Sequence, residues 1–149
     1  MTSPGATRYF AYGSNLSLAR MRGRVPDAVA LCVARLDGHR LTWDKRGADG
    51  SGKANLRPDP GAHVWGVVYR FGADGFAALD VHEPDYQRIA IEAHGDQGPT
   101  AAQTYLSQRL TDALPFASYK RLVVEGARAH GLPADWLRAL EAGAAQPDR

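Results

Sequence analysis

The chain has 149 residues, a formal net charge of +2, and 44% hydrophobic against 23% charged residues, the make-up of a single soluble globular domain with a buried core. No apolar run approaches the ~20 residues of a membrane span, and Met1 to Thr7 lacks the charged and apolar regions of a secretion signal, so a cytoplasmic protein is expected. The basic residues form no long cluster, which disfavours nucleic acid and suits a small anionic ligand, while the single cysteine, Cys32, excludes an internal disulfide.

Arg8 to Leu16 passes from an aromatic strand, through Gly13, into the start of a helix. Gly13 lets a ligand approach the main chain, and Ser14 or Asn15 can cap the helix, so the freed amides form a candidate anion site. Leu16 to about Arg22 reads as a short helix ended by Gly23 and Pro26. Asp27–Asp37 and His39–Asp44 read as two strands joined by a hairpin turn at Asp37-Gly38. Lys45 to Lys53, with three glycines and no apolar periodicity, reads as a mobile loop that could border a pocket. It lacks the phosphate-binding pattern Gly-x-x-x-x-Gly-Lys-Ser/Thr.

Ala54 to Arg57 reads as a short strand before the Pro58-Asp59-Pro60-Gly61 turn, and His63 to Phe71 as the central strand. Asp74 is placed to cap a short helix through Phe76, Leu79 and Val81 whose last residue is Glu83, since Pro84 pushes the residue before it out of helical geometry. Arg88–Ala93 and Thr100–Ser107 read as two strands around a polar turn. Pro115 opens a helix to about Ala129, ended by Gly131. Pro133 suits the first turn of a last helix holding Trp136, Leu137 and Leu140. The ends, about 1–7 and 143–149, are expected to fray. Strands come mostly first and helices last, which gives an α+β domain over residues 1–149 with a largely antiparallel, barrel-like sheet.

Glu83 is the acidic residue of interest. Phe76, Leu79 and Glu83 follow 3 and 4 spacing, which turns its carboxylate toward the core side, where apolar surroundings and the negative helix end both raise its pKa. Such a carboxylate is a general base, and the alternative reading of the same residue is a solvated glutamate at a helix end. Ser14 lacks the Gly-x-Ser-x-Gly pattern of a nucleophile elbow, and His39, His63, His82, His94 and His130 show no ligand-like spacing, so no metal site is expected. Taken by themselves, Cys32, Tyr119, Trp65 and Trp136 read as packing residues.

Several stretches taken in order resemble the γ-glutamylcyclotransferases, which cut a γ-glutamyl amide by cyclising the glutamyl part to 5-oxoproline. They are Tyr9-Phe10-Ala11-Tyr12-Gly13-Ser14-Asn15-Leu16, Cys32-Val33-Ala34-Arg35-Leu36, Val64-Trp65-Gly66-Val67-Val68-Tyr69, Leu79-Asp80 with Glu83, and Ser118-Tyr119-Lys120 followed by Gly126-Ala127 and Gly131-Leu132-Pro133. The resemblance runs from about Tyr9 to Glu141. It implies a small mixed, mostly antiparallel, partly barrel-like sheet with flanking helices. It also implies that Glu83 is the proton acceptor and that Tyr9, Phe10, Ala11, Tyr12, Gly13, Ser14 and Asn15 bind the γ-glutamyl part, with Tyr119 lining the pocket.

Tyr86 is carried over across a departure. The family usually has a glycine after the glutamate and a longer spacer, whereas Glu83-Pro84-Asp85-Tyr86 is short and proline-stiffened. The substrate supplies its own nucleophile, the α-amine, so the resemblance implies a lyase or acyltransferase of glutathione metabolism that uses no metal or cofactor. The expected partner is a small γ-glutamyl molecule, with no nucleic acid and no membrane, and a homodimer stays open. Two alternatives remain: a cyclotransferase for γ-glutamylamines or a γ-glutamyl-protected metabolite, and a non-catalytic module that binds a small carboxylate.

Overall fold

The structure, a computed structural model, describes residues 4–149; the expected fraying of residues 1–3 lies outside them. Five strands, β1 (Arg8–Ala11), β2 (Val29–Arg46), β3 (Gly52–Arg70), β4 (Gln87–Gly95) and β5 (Gly98–Leu106), close into a barrel in the order β1-β3-β2-β4-β5. All pairings are antiparallel except the closing one, where β5 lies parallel to β1 at Tyr9↔Gln103. Helices α1 (Leu18–Arg24), α2 (Gly75–Val81), α3 (Ala117–Ala129) and α4 (Ala134–Ala142) flank it. The sheet is thus mixed, mostly antiparallel and barrel-forming.

Successive residues of β1 point to opposite faces, as strand geometry requires. Phe10 and Tyr12 join Leu36, Leu56, Val64 and Val68 in a cluster of strand residues that fills the barrel. Tyr9 and Ala11 join Leu16, Met21, Tyr69 and Leu79 in a second cluster between barrel and helices. Burying a side chain such as Leu79, fully enclosed here, contributes roughly 1.5–3 kcal/mol.

The expected hairpin at Asp37-Gly38 and the expected turn at Pro58–Gly61 both lie within continuous strands. β2 does not reverse at Asp37-Gly38. Both of its halves pair with β3, and the register slips between Asp37↔His63 and His39↔Pro58. Gly38 still adopts the positive φ expected of it (+80°), but in a bulge facing the Pro58-Gly61 bend, where Gly61 has φ +88°. A bulge bends a strand without ending it, which is how one long ribbon curls into a barrel wall.

The segment after Lys45 is tighter than a mobile loop. Gly47 donates to Ser51 O (2.9 Å), and the Asp49 carboxylate accepts from Ser51 N, Ser51 Oγ and Lys53 Nζ. Those bonds outweigh partial burial and hold Asp49 down to about 2. The chain after Gly143 is also tied down: Ala117 N–H donates to Gln146 O, Gln146 N–H to Pro115 O (both 2.8 Å), and Ser118 N–H to Asp148 Oδ1 (3.0 Å). Helix α2 ends at Val81, so Glu83 lies in the turn beyond it, and the Asp74 side chain makes no capping hydrogen bond.

Candidate active site

The Tyr12-Gly13 segment leaves the barrel at the end of β1 and turns at once into a single 3-10 turn, Ser14–Leu16. Leu16 N–H donates to Gly13 O (3.0 Å) and Ser17 N–H to Ser14 O (3.1 Å). The residue capping α1 is Ser17, whose Oγ accepts from Arg20 N (3.3 Å), rather than Ser14 or Asn15. A 3-10 turn leaves its leading amides unused, and among the described residues those of Gly13, Ser14 and Asn15 find no acceptor. The anion site expected from sequence therefore rests on a turn, with the capped helix one step later. Tyr69, rising from β3, holds this turn by donating from its hydroxyl to Asn15 O (2.8 Å).

Gly13 is required for a reason other than ligand approach. A Cβ built there would lie 2.9 Å from the Ala54 Cβ, so the loop fits flat against β3 only without a side chain. Phe10 and Ala11, expected to bind substrate, are fully buried in the core and contribute no lining. The cleft is lined from the loop by Tyr9, Tyr12, Gly13, Ser14 and Asn15. Ala54, Glu83, Tyr86, Tyr105 and Tyr119 complete it.

Glu83 enters this cleft from the turn after α2, its side chain 12% exposed. Oε1 accepts from Asn15 Nδ2 (3.0 Å) and from the Arg24 guanidinium (3.3 Å). Arg24 also donates to Asn15 Oδ1 (3.0 Å), and Asn15 Nδ2 reaches the Tyr9 hydroxyl (3.0 Å). All of these bonds engage Oε1 or Asn15, and Oε2 has no partner among the described residues. Burial pushes the carboxyl above its ordinary value, opposed first by the positive charge of Arg24 and then by the Asn15 hydrogen bond.

The short Glu83-Pro84-Asp85-Tyr86 segment explains the position of Tyr86. Tyr86 N–H donates to Glu83 O (3.3 Å), Pro84 occupies the second turn position, and Asp85 the third with φ +66°. That is the pattern of a type II turn, which reverses the chain and sends Tyr86 back into the cleft that holds Glu83. Its hydroxyl donates to Ala54 O (2.6 Å), while Ala54 N–H donates to the Tyr119 hydroxyl (3.1 Å), so one β3 residue fixes two rings. Burial raises Tyr9, Tyr12 and Tyr86, and lifts Tyr119 to about 12, so these phenols stay neutral at neutral pH.

Sequence reasoning missed Arg24, Ala54 and Tyr105. For Arg24 a signal existed: Arg20 and Arg24 lie four apart on α1 and share a basic face. Ala54 and Tyr105 carried no local mark, because their place depends on barrel closure. Among the described residues no three His, Cys, Asp or Glu side chains converge in a cluster suited to a metal ion. No helix of theirs is long and apolar enough to cross a membrane.

The AIG2-like family model matches residues 63–140. Gamma-glutamylcyclotransferase of Mus musculus is 35% identical over 144 residues, covering 90% of this chain and 77% of the mouse protein. That of Homo sapiens is 33% identical with the same coverage. A solved gamma-glutamyl cyclotransferase superposes with a TM-score of 0.85 at 31% identity, covering 95% of this chain and 89% of its own. With a shared barrel, a shared sequence across most of its length and a glutamate buried in the cleft beside β1, this chain belongs to the γ-glutamylcyclotransferase family.

Proposed function

We propose that this protein is a γ-glutamylcyclotransferase in which Glu83 is the general base and then the general acid. The substrate's α-amine is its own nucleophile, so the protein must deprotonate the ammonium, hold the chain folded and stabilise the oxyanion. Glu83 Oε2 takes the ammonium proton, and the amine nitrogen attacks the γ-carbonyl carbon. The Gly13, Ser14 and Asn15 amides stabilise the negative oxygen of the tetrahedral intermediate. Glu83 returns the proton to the leaving nitrogen as the C–N bond breaks. The regenerated carboxylate takes the second proton of the ring nitrogen and passes it to the departing amine, which yields 5-oxoproline and a free ammonium or amino acid. Tyr9, Tyr12, Tyr86 and Tyr119 shape the walls and exclude water.

The observation that carries this reading is the state of Glu83: one oxygen is anchored by Asn15 and Arg24, while the other is free in a cleft that is also lined by the residues bearing three unused amides. No step calls for a metal or cofactor. The reading brings with it a place in glutathione metabolism and a cytoplasmic location. The test is release of 5-oxoproline from a panel of γ-glutamyl amino acids and γ-glutamylamines by the parent and by Glu83→Gln. Turnover by the parent that vanishes in the variant is expected; equal rates in both would remove Glu83 from the mechanism.

A further inference from the structure

The cleft continues past Glu83 into an outer depression of about 140 Å3 that shares Ser14, Glu83, Tyr86 and Tyr119 with the inner one. Arg20, Arg24, Lys45 and Lys53 are added to its lining, and among the described residues Glu83 is its one carboxylate. Two of these cations are already matched: Arg24 pairs with Glu83 (3.3 Å) and Lys53 with Asp49 (3.0 Å). The other two are not. Among the described residues neither Arg20 nor Lys45 has a carboxylate within 4.0 Å.

Both are held where an unmatched charge is costly. Arg20 Nε is buried without a hydrogen-bond partner. Lys45 is only 4% exposed, its ammonium lying 4.8 Å from the centre of the Tyr86 ring. Burial lowers the Lys45 pKa, with Asp85 and Glu83 favouring its charge from beyond pairing distance. Removing an ammonium or guanidinium from water without a counter-charge is unfavourable, and a bound anion relieves it.

On the cyclotransferase reading, we propose that this depression is the leaving-group subsite and selects γ-glutamyl conjugates whose leaving amine carries two carboxylates, as an acidic amino acid does. Arg20 and Lys45 are its specificity-determining residues. The substrate's own γ-glutamyl part occupies the inner cleft, whose three free amides take its α-carboxylate as well as the oxyanion, so neither outer cation is spent on it. An uncharged amine leaving group would leave both outer cations unmatched.

The experiment compares kcat/KM for 5-oxoproline release from γ-glutamyl-aspartate, γ-glutamyl-alanine and γ-glutamyl-ethylamine, in the parent, Arg20→Gln, Lys45→Met and Lys45→Arg. The parent is expected to rank them in that order, with about tenfold per carboxylate, the contribution of one hydrogen bond to a charged group. Arg20→Gln and Lys45→Met should each compress the aspartate-to-ethylamine ratio about tenfold, and Lys45→Arg should keep it. Equal efficiency on all three substrates, or variants that slow all three alike, would overturn the subsite while leaving the activity standing. If no compound yields 5-oxoproline, the proposed function fails, and calorimetric binding to Glu83→Gln decides the subsite: tighter binding of γ-glutamyl-aspartate than of γ-glutamyl-ethylamine supports it, and equal binding overturns it.

Discussion

Glu83 is held by two opposing influences, burial favouring its protonated form and Arg24 with Asn15 favouring the carboxylate, and burial is the larger. Its folded pKa therefore lies above the ordinary 4.5, and the folded chain binds more protons than the unfolded chain between those two values. The stability due to this group is full below 4.5 and is lost as pH rises through the raised pKa. Activity runs the other way, because only the carboxylate accepts a proton, so kcat/KM should fall on the acid side with a midpoint above 4.5. Arg24→Met removes the strongest influence holding that midpoint down. The acid limb of the pH–rate profile should move upward, and the variant should be less stable at neutral pH by roughly 1–3 kcal/mol, recovering as pH falls. An unmoved limb would show that Arg24 does not tune the base. Glu83→Gln should lower kcat by about 10²–10⁴, or roughly 3–5.5 kcal/mol of barrier, with a thermal midpoint equal to or above the parent's. A less stable Glu83→Gln would instead mark Glu83 as a structural ion-pair partner.

Two short connections position the elements of the cleft, and each can be broken separately. The turn from Glu83 to Tyr86 places Asp85 in the left-handed region (φ +66°), which Gly adopts freely and a β-branched residue resists. Asp85→Gly should hold turnover and stability near the parent. Asp85→Val should cost roughly 1–2 kcal/mol and reduce turnover, because displacing the turn moves Glu83 and Tyr86 together. Thermal melts with a kcat measurement on both variants read this directly, and equal behaviour of the two would show that the turn tolerates strain. At the opening loop, Gly13→Val drives a side chain into Ala54, 2.9 Å from the first added carbon. Overpacking of that kind costs about 1–3 kcal/mol, and Ala54 holds both Tyr86 and Tyr119, so stability and KM should suffer together. A variant impaired in KM alone, with an unchanged midpoint, would return Gly13 to a purely ligand-facing role.

At the scale of the whole molecule, the site lies at a mouth of the barrel, where β1, β3, the turn after α2 and α3 meet, and no step of the proposed mechanism calls for a metal. Turnover should accordingly survive exhaustive chelation, measured as 5-oxoproline release before and after dialysis against a chelator; loss of rate restored by one metal would overturn this. What the sequence determined alone were features with short-range causes. The β4–β5 hairpin, α3 and α4 followed from alternation or 3.6-residue periodicity bounded by Gly and Pro. Glu83, by contrast, lies beyond the end of α2, so helical spacing to Phe76 and Leu79 does not account for its inward position, which the Glu83–Tyr86 turn decides. The tertiary structure alone decided what depends on partners far along the chain. β2 and β3 are continuous through their glycines because each half of one pairs with the other, a pairing invisible in either segment. Alternation in β1 separates Tyr9 from Phe10, but which face meets the cleft is fixed only when β5 closes against β1. For the same reason Ala54 and Tyr105 carry no local signature. Their roles come from the curvature that brings β3 and β5 to the same opening, and curvature is a property of the closed sheet rather than of any stretch of residues within it.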